Sequence, residues 1–158
     1  MTNVKKTALA GILIALGVVC SAFYIPVGVA KCFPVQHLIN VIAGIFLGPV
    51  YSVIMTFLTS LIRVMTGTGS LLAFPGSMCG ALLCGILYKQ TKNINLALLG
   101  EVFGTGIIGA LLSYPVAIMF MSRTAAVFGF IVPFGLSSLG GTIIAAVIVY
   151  AMKRAAAR

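Results

Sequence analysis

The sequence predicts a six-helix integral membrane protein of the all-α class, and three observations support that prediction. Hydrophobic residues make up 61% of the 158-residue chain, charged residues only 7%, and the mean hydropathy is +1.23. A water-soluble domain of this size could not cover so much apolar surface with polar groups. The apolar residues also form long runs, and most of the basic residues lie between or beyond those runs.

Six apolar runs predict the helices of a single transmembrane domain over residues 1–158. Three runs are long enough to cross about 30 Å of hydrocarbon, namely Thr7 to Ile25, Ile94 to Met121 and Ala125 to Met152. Three others are shorter or interrupted by glycine, proline or polar residues, namely Val35 to Leu47, Val50 to Met65 and Leu71 to Tyr88.

The ten basic residues predict the orientation, because Lys and Arg collect in short cytoplasmic loops. With six spans and a cytoplasmic N-terminus, the inner side receives Lys5, Lys6, Lys89, Lys92, Lys153, Arg154 and Arg158. The outer side receives Lys31, Arg63 and Arg123. We therefore expect a multi-pass protein of the cell membrane with both termini in the cytoplasm. The net charge of +9 indicates topology and attraction to anionic lipid rather than nucleic-acid binding.

The residue types argue against an enzyme, a cofactor or metal site, and a self-powered transporter. The chain has one histidine and one carboxylate, and local spacing places no serine or cysteine beside a base. No nucleotide-binding loop is present in the sequence, so another protein would have to supply the energy for transport. The four cysteines lack CxxC spacing and are expected to be free thiols: Cys20, Cys32, Cys79 and Cys84.

The first polar cluster lies where the first outer loop enters the second predicted helix. Pro34 suits the first turn of a helix, so Gln36 and Asn40 fall on one face, with His37 three residues before Asn40. One interpretation is that these side chains hydrogen-bond between helices. The other is that together they recognise a small polar group on an aromatic ligand.

The second cluster is a glycine-rich outer loop that enters the fourth predicted helix. Pro75 and Gly76 predict a break at membrane depth, which is tolerated only where the backbone is buried in protein or lines a cavity. In that case Phe74 offers an aromatic surface to a ligand, and Ser77 offers a hydrogen-bond donor. An ordinary helix kink is the alternative interpretation.

The third cluster contains the single acidic residue of the chain, Glu101, inside an apolar run. An ionisable group in hydrocarbon costs about 2.5–3.5 kcal/mol, so a partner or a function is expected. Glu101 shares a helix face with Thr105 and lies about 10 Å from the inner end of its helix. Tyr114 lies near the outer end, on nearly the opposite face.

The depth of Glu101 bears on the kind of ligand. Arg63 is the obvious cationic partner, although its depth differs by about 10 Å. We expect Glu101 to be tied to Arg63, to Thr105 or to helix packing rather than to a ligand. An outer pocket without an acid favours a neutral ligand.

Small residues form a ridge on the first predicted helix. Ala8, Gly11 and Ala15 follow one another along it, and such a ridge permits close docking of another helix. Small residues are common in membrane helices, so the pattern alone does not identify the partner.

Three segments carry a more specific signal: FPVQHLIN from Phe33, TGSLLAFPGS from Thr68 and GEVFGTGIIGALLSYPVA from Gly100. They resemble the thiazole-specific substrate-binding subunit (ThiW) of energy-coupling factor (ECF) transporters, from the first helix to Ala117. The resemblance implies a six-helix subunit, called an S-component, that binds a vitamin precursor from outside. It implies 4-methyl-5-(2-hydroxyethyl)thiazole, here hydroxyethylthiazole, as the ligand for thiamine biosynthesis.

The resemblance also implies partners and a pocket. S-components associate with a transmembrane coupling protein and two ATP-hydrolysing subunits, and the small-residue ridge resembles the surface that they present. For the pocket we expect hydrogen-bonding groups at Gln36, His37, Asn40 and Ser77, and aromatic walls at Phe74 and Tyr114. Lys31 is expected on a gating loop, with Arg63, Glu101 and Thr105 around the site.

Other functions fit the same sequence. An S-component for thiamine or an aromatic amino acid would have the same fold. A membrane scaffold would have a dry, filled interior at Gln36, Asn40 and Phe74. A proton-coupled carrier would use Glu101 as its proton site and transport without partners.

Overall fold

Local sequence signals set the ends of most helices in the computed structural model, which describes residues 2–27, 30–121 and 126–156. Pro34 and Pro49 each stand in the first turn of a helix, where a missing N–H costs nothing. Gly48 precedes one of these helices with φ +85°, a conformation that other residues rarely adopt. The Asn93 side chain caps another helix by accepting a hydrogen bond from the Asn95 amide (2.9 Å).

The elements follow in a simple order. The helices are α1 (Asn3–Val19), α2 (Pro34–Phe46), α3 (Pro49–Met65), α4 (Ala73–Thr91), α5 (Ile94–Phe103), α6 (Ala110–Met121) and α7 (Ile131–Ala156). A 3₁₀ turn over Cys20–Ala22 continues α1, and a π-helical segment over Gly104–Gly109 joins α5 to α6. Strands β1 (Ile25–Val27) and β2 (Ala30–Cys32) form an antiparallel hairpin between α1 and α2.

Three of the described helical segments are long and apolar enough to cross a membrane: Asn3–Ala22, Ile94–Met121 and Ile131–Ala155. The shorter α2 and α3 agree with the sequence-predicted runs to within a residue or so. The hairpin corrects the expectation of a purely helical chain, because the first predicted run extended through Ile25, which pairs with Cys32 instead.

Two helix starts also differ from the predictions. α1 begins at Asn3 rather than Thr7, because the lysine-bearing segment continues the helix beyond its apolar part. α7 begins at Ile131 rather than at Ala125, which lies outside the described residues. Residues 127–130 form a turn, and Pro133 then sits in the first turn of α7, where proline is tolerated.

The predicted break at Pro75 and Gly76 does not occur. Ala73 is the first residue of α4, so Pro75 lies in the first turn, and the Gly76 amide bonds the Leu72 carbonyl (3.3 Å). The prediction was wrong because the helix was started at Leu71, which placed the proline too far inside it. The helical irregularity in this part of the structure is instead the π-helical segment between α5 and α6.

α4 lies at the centre of the helix packing. It contacts α2, α3, α5 and the π-helical segment, while α2 packs along α7. α1 contacts α3 and, less extensively, α2. This arrangement brings the N-terminal ends of α2 and α4 together with the C-terminal end of α3, and the polar clusters predicted from the sequence meet there.

Candidate functional site

A cavity of about 300 Å³ lies where these helix ends meet. Its wall combines the start of α2, the end of α3, the loop before α4, the first turns of α4, and residues at the start of α7. Polar lining groups include Gln36, His37, Ser77, Thr105 and Ser137. Three phenylalanines also line it: Phe33, Phe130 and Phe134. The volume and the mixed lining are typical of a small-molecule site.

Arg63 is the most deeply buried cation of the cavity wall, with only 2% of its surface exposed. Its Nη1 donates to Gln36 Oε1 (3.0 Å), and its guanidinium lies 4.1 Å from the centre of the Phe33 ring. Gln36 in turn donates from Nε2 to Asn40 Oδ1 (3.3 Å). Arg63 is therefore held by stacking and by a hydrogen-bonded chain along α2.

Glu101 is fully buried and connects α2 to α5. Its Oε1 lies 2.9 Å from His37 Nδ1 and accepts hydrogen bonds from Asn40 Nδ2 (3.0 Å) and Thr105 Oγ1 (3.2 Å). An ionised carboxylate can only accept, so the contact with His37 requires a proton on Nδ1. Three side chains thus lie within hydrogen-bonding distance of this one oxygen, although the single Thr105 hydroxyl proton has the Gly76 carbonyl (3.1 Å) as a second acceptor.

The position of Glu101 corrects part of the sequence prediction. The contact with Thr105, one of the expected ties, is present, whereas the other close contact of Glu101 is with His37 and not with Arg63. The prediction from membrane depth assumed that the polar residues of α2 all lie near the outer end of the helix. Asn40 is six residues into α2, about 9 Å along its axis, and it therefore reaches the level of Glu101.

Gly80 on α4 makes room for this cluster. A Cβ atom at that position would clash with Thr105 Oγ1 and would lie 2.7 Å from Glu101 Oε2. Gly104, in the π-helical segment, likewise leaves no room for a Cβ beside the Cys79 and Gly80 backbone. The two glycines let α4 and the π-helical segment approach closely, and Thr105 Oγ1 then also reaches the Gly76 carbonyl (3.1 Å).

Ser77 faces the cavity from α4, and its backbone supports the α2 cluster. Its hydroxyl donates to the Ala73 carbonyl (2.6 Å) and lies 3.2 Å from Ser60 Oγ. Its carbonyl accepts from Asn40 Nδ2 (3.3 Å). The first turn of α4 is thus fixed to both α2 and α3.

The predicted pocket residues fall into three groups. Those that line the cavity are Lys31, Gln36, His37, Arg63, Ser77 and Thr105. Asn40 and Glu101 lie behind this wall and hold His37 and Gln36 in place. Phe74 and Tyr114 are absent from the lining, and Phe74 packs on Phe57 instead, with ring centres 5.5 Å apart.

Three aromatic lining residues were not predicted from the sequence: Phe33, Phe130 and Phe134. Phe33 begins the FPVQHLIN segment but precedes α2, so helical periodicity could not predict which way its side chain points. Phe130 and Phe134 belong to a segment that resembled any apolar helix. Their i,i+4 spacing was the available signal, and their ring centres lie 6.0 Å apart.

The predicted docking residues lie away from the cavity. Ala8, Gly11 and Ala15 are exposed on α1, and a Cβ at Gly11 would meet nothing within 4 Å. Lys31, on β2, lines the cavity, and its Nζ lies over the Tyr24 ring (4.2 Å from its centre). All four cysteines are free, and burial raises the pKa of the Cys32 thiol, which donates to the Pro133 carbonyl (3.3 Å).

Three membrane-length apolar helices together with a polar, aromatic-lined cavity are typical of a membrane protein that binds a small molecule. The comparison with protein families identifies which class of such proteins this is. The chain belongs to the ThiW family of thiamine-precursor transporter proteins, whose family model matches residues 7–155. The family confirms the resemblance found in the sequence, and it agrees with the expectation of a transporter rather than an enzyme. A search of curated proteins found no match.

Proposed function

We propose that this protein is the substrate-binding S-component of an ECF importer and that it binds hydroxyethylthiazole from outside the cell. The observation that carries the proposal is the cavity itself, in which Phe33, Phe130 and Phe134 flank hydrogen-bonding groups of α2 and α4. Aromatic walls suit a thiazole ring, and a few fixed polar groups suit a single hydroxyl. Membership of a thiamine-precursor transporter family supports the same ligand class.

The proposed topology has six membrane spans, both termini in the cytoplasm and the cavity near the outer surface. The basic residues support it, because they flank helix ends that contribute no residue to the cavity lining: Lys5, Lys6, Lys89 and Lys92. The shorter α2 and α3 would cross the bilayer with local thinning or with help from their neighbours.

In this proposal the chain binds its ligand but does not power transport. A coupling protein and two ATPase subunits would dock on the exposed ridge of Ala8, Gly11 and Ala15, where small residues permit close helix approach. The hairpin with Lys31 would close the cavity mouth after the ligand enters.

Calorimetry with the purified protein in detergent tests the binding step. We expect hydroxyethylthiazole to bind without ATP, and we expect Ser77→Ala to weaken binding by about tenfold because a cavity hydroxyl is lost. Tyr114→Phe, outside the lining, is the matched control and should leave affinity unchanged. An absence of heat with hydroxyethylthiazole and with related thiazoles would contradict the proposal.

One observation favours a second candidate, a proton-coupled carrier. The buried pair of His37 and Glu101 (2.9 Å) could exchange a proton when a ligand enters. Liposomes that contain this chain alone separate the two candidates. Uptake driven by a pH gradient and abolished in Glu101→Gln would support the carrier, whereas binding without uptake supports the S-component.

A further inference from the structure

A second cavity, of about 360 Å³, lies at the opposite ends of the helices that form the ligand cavity. The ligand cavity uses the starts of α2 and α4 and the end of α3, whereas the second cavity uses the ends of α2 and α4 and the start of α3. Among the described residues, the two cavities share no lining residue. The second cavity is therefore separate from the proposed thiazole site.

Three lysines line this second cavity, here called the basic cavity: Lys6 of α1, Lys89 of α4, and Lys92, which directly follows α4. Nζ of Lys6 lies 5.6 Å from the centre of the Tyr51 ring, and Nζ of Lys92 lies 5.7 Å from the centre of the Tyr88 ring. Both tyrosines also line the basic cavity. Two of the three ammonium groups are therefore held at its wall by contacts with aromatic rings.

The chain supplies no acidic side chain to balance these lysines. Glu101 is the single acidic residue of the sequence, and it is fully buried, in contact with His37, and absent from the described lining of the basic cavity. Like charges around one cavity repel one another, and an anion from outside the chain relieves that repulsion. α3 also begins at this cavity without a side-chain cap, so the positive end of its dipole adds to the same field.

The backbone of Lys92 gives an independent reason to connect its side chain with the cavity. Lys92 has φ +54° and is the only non-glycine residue with a positive φ in the described part of the chain. It caps the C-terminal end of α4, where glycine or asparagine is usual because a Cβ atom is unfavourable in this conformation. Glycine at this position would remove the backbone cost and the positive charge together.

An apolar stripe on the surface of α3 leads away from the basic cavity. Val50 lines the cavity and is exposed, and three further exposed residues follow it on the same helix face: Ile54, Leu58 and Leu61. A soluble phosphate would use only the lysines, whereas a phospholipid would place its headgroup among the lysines and an acyl chain along this stripe. The stripe therefore favours a lipid over a soluble anion.

We infer that the basic cavity binds the headgroup phosphate of an acidic phospholipid. The lysines face the phosphate, and the acyl chains lie against α3 in the surrounding bilayer. Basic cavities between membrane helices on the cytoplasmic side are typical sites for acidic headgroups, and the proposed topology places these lysines on that side. Headgroup binding does not depend on the thiazole ligand, because the two cavities are separate.

Binding measurements with four probes test the lipid site. The protein, purified in a nonionic detergent, is titrated with dioleoyl phosphatidylglycerol or dioleoyl phosphatidylcholine, and native mass spectrometry counts the bound lipid. Glycerol 3-phosphate and inorganic phosphate are then tested as competitors. We expect phosphatidylglycerol to bind about 10- to 100-fold more tightly than phosphatidylcholine, whose headgroup has no net charge, and than either soluble phosphate, which lacks acyl chains.

Lys6→Gln and Lys5→Gln are a matched pair, because both remove one positive charge from α1 but only Lys6 lines the basic cavity. Lys6→Gln should weaken phosphatidylglycerol binding by about fivefold, and Lys5→Gln by less than about twofold. Hydroxyethylthiazole affinity should stay the same in both variants, because neither lysine lines the ligand cavity.

Lys92→Gly separates a binding role from a structural one. It should weaken phosphatidylglycerol binding about as much as Lys6→Gln does, because one cation of the basic cavity is lost. Its unfolding midpoint in detergent without added lipid should stay equal or rise, because glycine adopts a positive φ without a steric cost. Unchanged lipid binding in Lys92→Gly and in Lys6→Gln would overturn the lipid site.

Three other results would also overturn it. Equal binding of the two lipids, or equal losses in Lys6→Gln and Lys5→Gln, would reduce the effect to diffuse attraction between the net charge and the membrane. Competition by a soluble phosphate at the affinity of the lipid would identify that phosphate as the occupant. If neither lipid is preferred and Lys6→Gln, but not Lys5→Gln, loses a co-expressed coupling protein, the basic cavity binds an acidic segment of that protein.

Discussion

α1 and α4 both carry small residues at helical spacing, yet the glycines of α4 contact neighbouring helices, whereas Gly11 of α1 faces open space. On α4, a Cβ at Gly76, Gly80 or Gly85 would collide with Phe134, with the Glu101 cluster or with the Pro49 backbone. On α1, a Cβ at Gly11 would meet nothing within 4 Å. Most of α1 is exposed, since only 17% of its most apolar stretch is buried.

The difference shows that a small-residue pattern indicates that another helix can approach closely, but it does not identify that helix. On α4 the pattern is used within the chain, where it lets α2, α3 and the π-helical segment surround the cavity. On α1 the ridge of Ala8, Gly11 and Ala15 is left on the surface, which agrees with the proposed docking of a coupling protein, whereas Gly17 is buried against Thr59 of α3. Substitutions on the two helices should therefore have separable effects, on folding and binding for α4 and on assembly for α1.

The largest effect is expected at Glu101, which packs against Gly80 of α4. Glu101→Ala leaves His37, Asn40 and Thr105 without their shared acceptor and should destabilise the protein by about 3–5 kcal/mol. Thermal unfolding in detergent measures this, with Glu101→Gln as the milder control because it keeps an acceptor oxygen. Equal unfolding midpoints for Glu101→Ala and the unmodified protein would mean that the cluster contributes no stability.

The second-largest effect is expected for Gly80→Ala on α4, and the same substitution at Gly11 on α1 is its comparison. Gly80→Ala forces a methyl group against Glu101 and Thr105 and should cost about 1–3 kcal/mol and weaken ligand binding. Gly11→Ala, in the same measurements, should be neutral or stabilise α1 by up to about 1 kcal/mol, since alanine is the better helix former. If both variants lose the same stability, the contrast between the helices does not hold.

A third, smaller effect concerns the aromatic wall. Phe134→Leu should lower hydroxyethylthiazole affinity by about two- to tenfold because a stacking surface in the cavity is lost. Phe74→Leu is the matched control: its ring packs on Phe57 outside the lining, so affinity should not change. The reverse result would restore the sequence-based assignment of Phe74 as the wall.

The smallest effect on the isolated protein is expected at the α1 ridge. Gly11→Leu should leave the unfolding midpoint and the hydroxyethylthiazole affinity unchanged, because no neighbour lies within 4 Å of a Cβ there. It should reduce co-purification with a co-expressed coupling protein, because a bulky side chain prevents close helix approach. Unchanged co-purification would remove this ridge from the proposed interface.

The helical architecture with apolar helices long enough to cross a membrane, the approximate position of each helix and the family could all be predicted from the sequence. These follow from apolar runs, prolines at helix starts and short motifs, which are local in the chain. The sequence also named many of the residues at the cavity, since Gln36, His37 and Ser77 lie at predictable helix phases.

The way in which the polar clusters combine could not be predicted from the sequence, because it depends on packing between helices. Helix phase and depth were counted along single helices, so they could not show that His37 and Asn40 reach Glu101 across α2 and α5. They also could not show that Arg63 turns to Gln36 and the cavity instead of to Glu101. The physical reason is that partners of buried charges are chosen by packing between helices, here by the glycines of α4, and no single helix encodes that packing.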